Sequence, residues 1–329
     1  MVIHKPYSLA MTWLVLSLLV LLVLLMACSP DTPMPKPTPT GHPVSTLSPG
    51  NGGGTGRIAL ACAPDPAQNK ADICVSNLDG SGLRRLTSGP GPNVSPAWSP
   101  DGQRLVFRVA DAQEFEASDI WIMKADGSQQ TNLTNDQQSN WGATWAPDGK
   151  HILFNSVREG AGIPHLYLMN PDGSGLRRLC PHSTLWEEYP GWSPDGTKIA
   201  FMSNVGFSAW VIYVMNTDCS GLRQVTNGPR EDSTPRWSPD GKKMAFTSDR
   251  TGQAEVYLMN ADGSQQTRLT TSPKDTSFNG PDWSPDGTKL LFLHSLPKGG
   301  EIWVMNADGS AQTKLMDAYG FGDSAVWQP

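Results

Sequence analysis

Trp98, Trp145, Trp192, Trp237, Trp283 and Trp327 follow one another at intervals of 47, 47, 45, 46 and 44 residues, and the first five each open the phrase Trp-Ser/Ala-Pro-Asp-Gly. A turn phrase that returns with a period in the mid-forties restricts the chain to a repeat architecture. Each copy is then one supersecondary unit that buries its apolar faces only against its neighbours. The period fits four short strands, the size of a propeller blade. Composition agrees: 33 Gly and 28 Pro supply many tight turns, and no long amphipathic helix stands out beyond the N-terminus.

Every copy reads in the same order: a short segment ending in Trp, the Pro-Asp-Gly turn, an apolar run, a variable loop, a second apolar run, an Asp-Gly-Ser turn and a polar segment. These are strands a, b, c and d. Proline pre-sets φ at the first corner of the a–b turn, the following Asp bonds nearby amides, and Gly takes positive φ. Asp-Gly between the two later runs is a hairpin signal for c–d. In the fourth copy this pair becomes Asp218-Cys219, which puts a side chain where the others have none. Runs such as Lys198–Ser203 and Glu301–Met305 are apolar on both faces, as strands sandwiched between blades must be.

The first copy, residues 57 to 87, lacks a strand a, whereas Ser324–Pro329 reads as a strand a with nothing after it. The two fragments are expected to combine, which closes the ring and removes its exposed edges. The expected fold is therefore all-β, a six-bladed propeller of four-stranded antiparallel blades closed by the C-terminal strand joining the first blade, over residues 56–329.

Residues 1–27 read as an export signal. His4 and Lys5 precede an uncharged apolar run that ends in Leu25-Met26-Ala27-Cys28. That tetrapeptide resembles a bacterial lipobox, which makes Cys28 the lipidation site and new N-terminus, and the membrane a partner through the lipid. The run is also long enough to be read as an uncleaved transmembrane anchor. Either reading places the remainder outside the cytoplasm, in the periplasm or at the cell surface. Residues 28–55, rich first in Pro and Thr and then in Gly, have almost nothing to bury and read as a tether. Formal charge is −6, so nucleic acid is excluded as a partner, because its backbone requires a positive face.

The phrases Trp237-Ser-Pro-Asp-Gly-Lys-Lys-Met-Ala-Phe-Thr-Ser-Asp-Arg250 and Val256-Tyr-Leu-Met-Asn-Ala-Asp-Gly-Ser264 resemble the WD40-like repeats of the TolB propeller family. The resemblance spans about residues 56–329 and implies the fold. A lipid signal and tether stand in place of that family's N-terminal α/β domain. Similar repeats form propellers of differing function, so the role has to be argued from the surface.

Because strand direction alternates, a–b and c–d turns share one end of the ring, while the longer b–c and d–a loops share the other. Recognition uses variable loops on a rigid scaffold. The d–a loops feed the innermost strand and are expected to rim the channel with Trp141, Glu187, Glu188, Tyr189, Glu231, Asp232, Phe278, Asn279, Phe321 and Asp323. Acids at a narrow mouth favour a cationic segment, and aromatics anchor interfaces. The expected function is a lipid-anchored binding module, acting as a monomer, for a protein or peptide in a cell-envelope complex. The alternative is a carbohydrate-binding or sensing propeller. A metal-dependent sugar lyase is a remote third reading. No catalytic residue, metal site or cofactor is expected: the chain has no Gly-x-Ser-x-Gly, phosphate-binding Gly loop or His-Glu-x-x-His, and His165, His182 and His294 belong to different parts of the ring.

Asp72, Asp119, Glu255 and Glu301 open strand c at one repeat position, and their recurrence marks them as structural. Cys62 and Cys74 can face each other across the first blade as a disulfide, with two buried thiols as the alternative. Cys180 ends a strand d and Cys219 lies in a turn at the opposite end, so these two are expected not to bridge.

Overall fold

The computed structural model describes residues 56–62, 71–89, 91–110, 117–159, 162–204, 209–228, 230–318 and 325–329. The expected signal and tether, Cys28, Phe321 and Asp323 lie outside them.

Six four-stranded antiparallel sheets form the propeller. The second blade holds β4 (Asn93–Trp98), β5 (Arg104–Ala110), β6 (Ser118–Lys124) and β7 (Thr131–Asn132). The third holds β8 (Asn140–Trp145), β9 (Ile152–Ser156), β10 (His165–Met169) and β11 (Arg177–Arg178). The fourth holds β12 (Glu188–Trp192), β13 (Lys198–Asn204), β14 (Trp210–Asn216) and β15 (Arg223–Gln224). The fifth holds β16 (Asp232–Trp237), β17 (Lys243–Ser248), β18 (Glu255–Asn260) and β19 (Thr267–Arg268), and the sixth β20 (Ser277–Trp283), β21 (Lys289–Ser295), β22 (Gly300–Asn306) and β23 (Thr313–Ala318). The first blade joins both ends of the chain: β1 (Arg57–Cys62), β2 (Asp72–Asn77) and β3 (Arg84–Arg85) take β24 (Ala325–Trp327) as their inner strand. Ile58 faces Trp327 and Leu60 faces Ala325 in that pairing.

The turns form for the reasons their residues suggest. In the a–b turn the serine hydroxyl donates to the aspartate and accepts the amide that opens strand b, as at Ser238, with Asp240 Oδ1 at 2.6 Å and Lys243 N at 2.9 Å. In the c–d turn Ser264 N and Oγ both donate to Asp262 Oδ1, at 2.9 and 2.6 Å. Hydrogen bonds to the charged form hold these aspartates below the ordinary carboxylate range; Asp286 falls to about 2.

The core is not one body but six layers, one per seam between adjacent blades. Trp98 packs with Ala59, Ile73 and Val75 of the first blade and with Leu105 and Phe107 of its own. The closing layer sets Trp327, Ile58 and Leu60 against Leu291 and Ile302 of the sixth blade. Phe107, Phe154, Phe201, Phe246 and Phe292 are fully enclosed at one repeat position of strand b.

Two disulfides are formed. Cys62–Cys74 spans β1 and β2, with Cα atoms 5.9 Å apart, which is the first of the two alternatives left open for this pair. Cys180–Cys219 also forms, with Cα atoms 5.8 Å apart, which overturns the expectation that these residues lie at opposite ends and cannot meet. Strand directions are as read; what the flat picture omitted is twist. Each strand is rotated against its neighbour, so the outer strands lie steeply inclined. The c–d turn of each blade therefore rests on the end of strand d in the preceding blade. A Cβ at Gly127 would meet Leu86 O at 3.1 Å, and one at Gly173 would meet Leu133 O at 3.1 Å. Cys219 occupies this glycine position with φ 71°, its sulfur 3.4 Å from Leu179 O, beside Cys180.

The strand-c acids are structural. Asp72 is buried and accepts from Thr87 Oγ1 (3.1 Å) and Asn93 Nδ2 (3.0 Å) while pairing with Arg85. Glu255 accepts from Thr270 Oγ1 and from Ser272 N and Oγ. Arg250 pairs with Asp232 of strand a, at 2.8 Å, and not with a strand-c acid.

Candidate functional site

The innermost strands share a distortion that the sequence reading did not anticipate. Three residues before each of the first five repeat tryptophans, φ is positive: Ser95 53°, Gly142 63°, Tyr189 49°, Thr234 50° and Gly280 58°. Pairing with strand b slips at the same place in all five blades. This is a β-bulge, which bends the strand and re-aims side chains. It has a signal in the sequence: Pro96, Pro190, Pro235 and Pro281 each stand two residues before the tryptophan, and proline inside an inner strand marks a bulge.

The bulge divides the expected mouth residues into two sets. Counted back from the tryptophan, the fifth residue is buried in every complete blade: Asn93, Asn140, Glu187, Asp232 and Phe278. Three of the expected mouth residues fall here. Glu187 Oε2 accepts the Leu166 amide at 3.1 Å; this is the task done in the first, second, fourth and fifth blades by a threonine, such as Thr226 on Ile212 N, and in the third blade Cys180 stands in the threonine's place. Burial pushes the Glu187 carboxyl upward. Asp232 is fully enclosed and pairs with the partly exposed Arg250, whose guanidinium lies 4.8 Å from the Tyr257 ring centre. Phe278 packs on His294, ring centres 4.4 Å apart, and edge-on to Phe292 at 5.3 Å. None of the three faces the mouth.

The fourth and third residues before the tryptophan do reach it. Trp141, Glu188 and Asn279 are half-buried at the start of their strands, Tyr189 lines the channel just below, and Glu231 is exposed beside them. The Tyr189 amide donates to Asn155 Oδ1 at 3.0 Å, and Asn279 Nδ2 donates to Ser277 and Ser295 hydroxyls at 2.9 and 3.1 Å. Glu188 carries the strongest perturbation at the mouth: burial pushes its carboxyl up to about 7, against the hydrogen bond that the Trp141 indole donates, and the Glu231 charge adds repulsion. Trp186 and Trp210 meet edge-to-face on the same side of the ring, 5.9 Å between centres.

The Glu188 shift fixes the sign of a pH effect. A carboxyl raised from 4.5 to about 7 binds its proton more tightly in the folded state, so stability is lost as pH climbs through that window and then levels off. Glu188→Gln is expected to match the wild type in thermal melts below pH 4.5 and to melt higher above pH 7. A wild-type advantage at high pH would contradict the assignment.

Below the mouth the channel narrows to a cavity of about 180 Å3. Its wall comes from the bulged inner strands and carries Tyr189, Thr234, Arg236 and Asp282. Among the described residues no group of three or more metal-ligating side chains gathers.

Comparison with known proteins agrees with this architecture. A family profile described as TolB beta propeller domain matches residues 64–206 and 184–294. The Tol-Pal system protein TolB of Nitratidesulfovibrio vulgaris is 38% identical over 55 residues, which is 17% of this chain and 12% of that protein. The chain thus spans about an eighth of the curated relative's length. The crystal structure of TolB from Acinetobacter baumannii superposes with a TM-score of 0.72 at 23% identity, over 84% of this chain and 68% of that one. A putative TolB from Agrobacterium tumefaciens gives 0.64 at 22% identity, over 84% and 99%. An oligogalacturonate lyase in complex with manganese gives 0.51 at 15% identity, over 79% and 72%, and shares the fold alone.

Proposed function

The chain belongs to the TolB β-propeller domain family, and from that premise we propose that it is an extracytoplasmic, lipid-anchored module that binds a protein or peptide at the loop-rich mouth of its channel. Binding rather than catalysis is the role. The observation that carries it is the Trp141–Glu188 pair, a carboxyl held half-buried under an indole beside Glu231 and above Tyr189. An acidic group set among aromatic rings at a concave mouth suits a basic segment of a partner, and such central, partly desolvated anchors dominate interfaces. The curated relative is named as part of the Tol-Pal system, which supports a cell-envelope complex as the source of the partner. Two disulfides in 329 residues support an oxidising compartment.

The test is affinity capture from solubilised cell envelopes with the full chain and with the Trp141→Ala/Glu188→Gln/Glu231→Gln variant. Partner recovery is expected to fall at least about tenfold, the loss typical of removing hot-spot residues. Undiminished recovery by a variant that melts like the wild type would overturn the mouth as the interface. The Trp186–Trp210 pair favours the competing carbohydrate reading, since rings so placed can stack on a sugar. Elution of the captured material by a saccharide but not by a basic peptide would select it.

A further inference from the structure

The cavity beneath the mouth holds two ionisable groups that the proposed interface does not use. Arg236 stands one residue before the tryptophan of β16, and Asp282 one before that of β20, on adjacent blades. At this repeat position the other blades place Ala97, Thr144, Gly191 and Val326, so the charges are not part of the scaffold's common plan. Arg236 is nevertheless firmly seated. The Trp283 indole donates to its carbonyl at 3.1 Å, and Gly191 brings the fourth blade so close to Pro235 O that an added Cβ would lie 2.8 Å away.

Its guanidinium is under-used. Among the described residues it makes one hydrogen bond, from Nη1 to Pro235 O at 3.1 Å, and no ion pair with Asp282. The Asp282 carboxylate is occupied elsewhere, with Oδ2 accepting the Trp327 amide of the closing strand at 2.9 Å. Burial moves both groups toward neutrality, Arg236 downward and Asp282 up to about 6, against the mutual attraction of the two charges, which offsets it only in part. A guanidinium offers five N–H donors in a rigid planar fork that matches a carboxylate bidentately. Arg236 lines the cavity together with other inner-strand residues, among them Trp98, Tyr189, Trp327 and Pro329.

A lone carboxylate would meet repulsion from Asp282, so the matching ligand also carries a donor for that acid. About 180 Å3 is the share of roughly six water molecules in the liquid and is below the range of drug-sized pockets, so the group admitted is small. We propose that the channel is a binding site for an α-carboxylate accompanied by an N–H donor, with Arg236 holding the carboxylate and Asp282 accepting from the N–H. Two sources share this chemistry: the carboxyl end of a peptide and a free amino acid. The site lies below the mouth and stands whether or not the mouth binds a protein.

The test is calorimetric titration of the purified full chain with N-acetyl-Ala-Ala, its C-terminal amide, and free alanine. The dipeptide acid is expected to bind and the amide to bind at least about tenfold more weakly, since a charge-assisted bidentate pair is lost. Arg236→Gln should abolish binding of the acid and Arg236→Lys should retain part of it. Asp282→Asn should weaken it. Tight binding of alanine identifies the free amino acid as the source, and binding of the dipeptide alone identifies the peptide end. Absence of binding by both acids at millimolar concentration, equal binding of acid and amide, or an Arg236→Gln protein that binds like the wild type overturns the proposal. Should Arg236→Gln fail to fold, the comparison of acid with amide on the wild type still decides it.

Discussion

Deletion of Ala325–Pro329 is expected to lower the melting temperature by more than about 10 °C, or to abolish the cooperative transition. Trp327 is 7% exposed in the seam between the first and sixth blades, and truncating such a residue costs about 3–5 kcal/mol. Ala325 and Val326 leave the core with it. So do the Trp327 amide bond to Asp282 and the bonds of Gln328 to Arg57 O and Gly102 O, at 2.8 Å each. For a domain of this size 1 kcal/mol corresponds to about 2–4 °C, and total stability is usually only about 5–15 kcal/mol. Differential scanning calorimetry of the truncated and full chains decides the matter. Coincident transitions would mean that β24 does not close the ring.

The second large effect concerns the Cys180–Cys219 disulfide. It closes a loop of 39 residues and ties the third blade to the fourth, whereas Cys62–Cys74 closes 12 within one blade. On the chain-entropy model the longer link is worth about 4 kcal/mol and the shorter about 3. Cys180→Ser is therefore expected to lower stability more than Cys62→Ser. Reductant should bring the wild type down toward the variants while changing a Cys62→Ser/Cys180→Ser double variant little. Cys219→Gly gives a sharper contrast. It restores the residue found in the other c–d turns and relieves a positive-φ side chain worth about 1 kcal/mol, so it should cost less than Cys180→Ser although both break the same bond. Equal stability of wild type and Cys180→Ser in denaturant titrations would show that the link contributes nothing.

How far the sequence could be read follows from which residues obey the repeat. The tryptophan spacing and the Pro-Asp-Gly and Asp-Gly-Ser turns specify blade number, strand order and closure, because each acts through local geometry that recurs in every copy. Twist was not legible from any one copy. It accumulates across a blade, and only the stacked ring shows that Cys219 reaches Cys180. The expected mouth residues divide into two sets for a related reason. Loop composition suggested Glu187, Asp232 and Phe278 alongside Trp141 and Glu188, but counting back from the tryptophans places the first three at a uniformly buried position and the other two just past it. The recurring proline two places before the tryptophan carried the bulge that separates them. Arg236 and Asp282 were passed over because they sit on a scaffold strand rather than in a variable loop.

The borrowed inner strand of the first blade has a consequence for biogenesis. Residues 57–62 wait with one side unsatisfied until residues 325–327 have emerged from the ribosome, because no earlier segment fills that place. The ring thus locks only when two segments far apart in the sequence have met. Bringing segments so distant along the chain together carries a large loop-closure cost, so the first blade is expected to be the last to form.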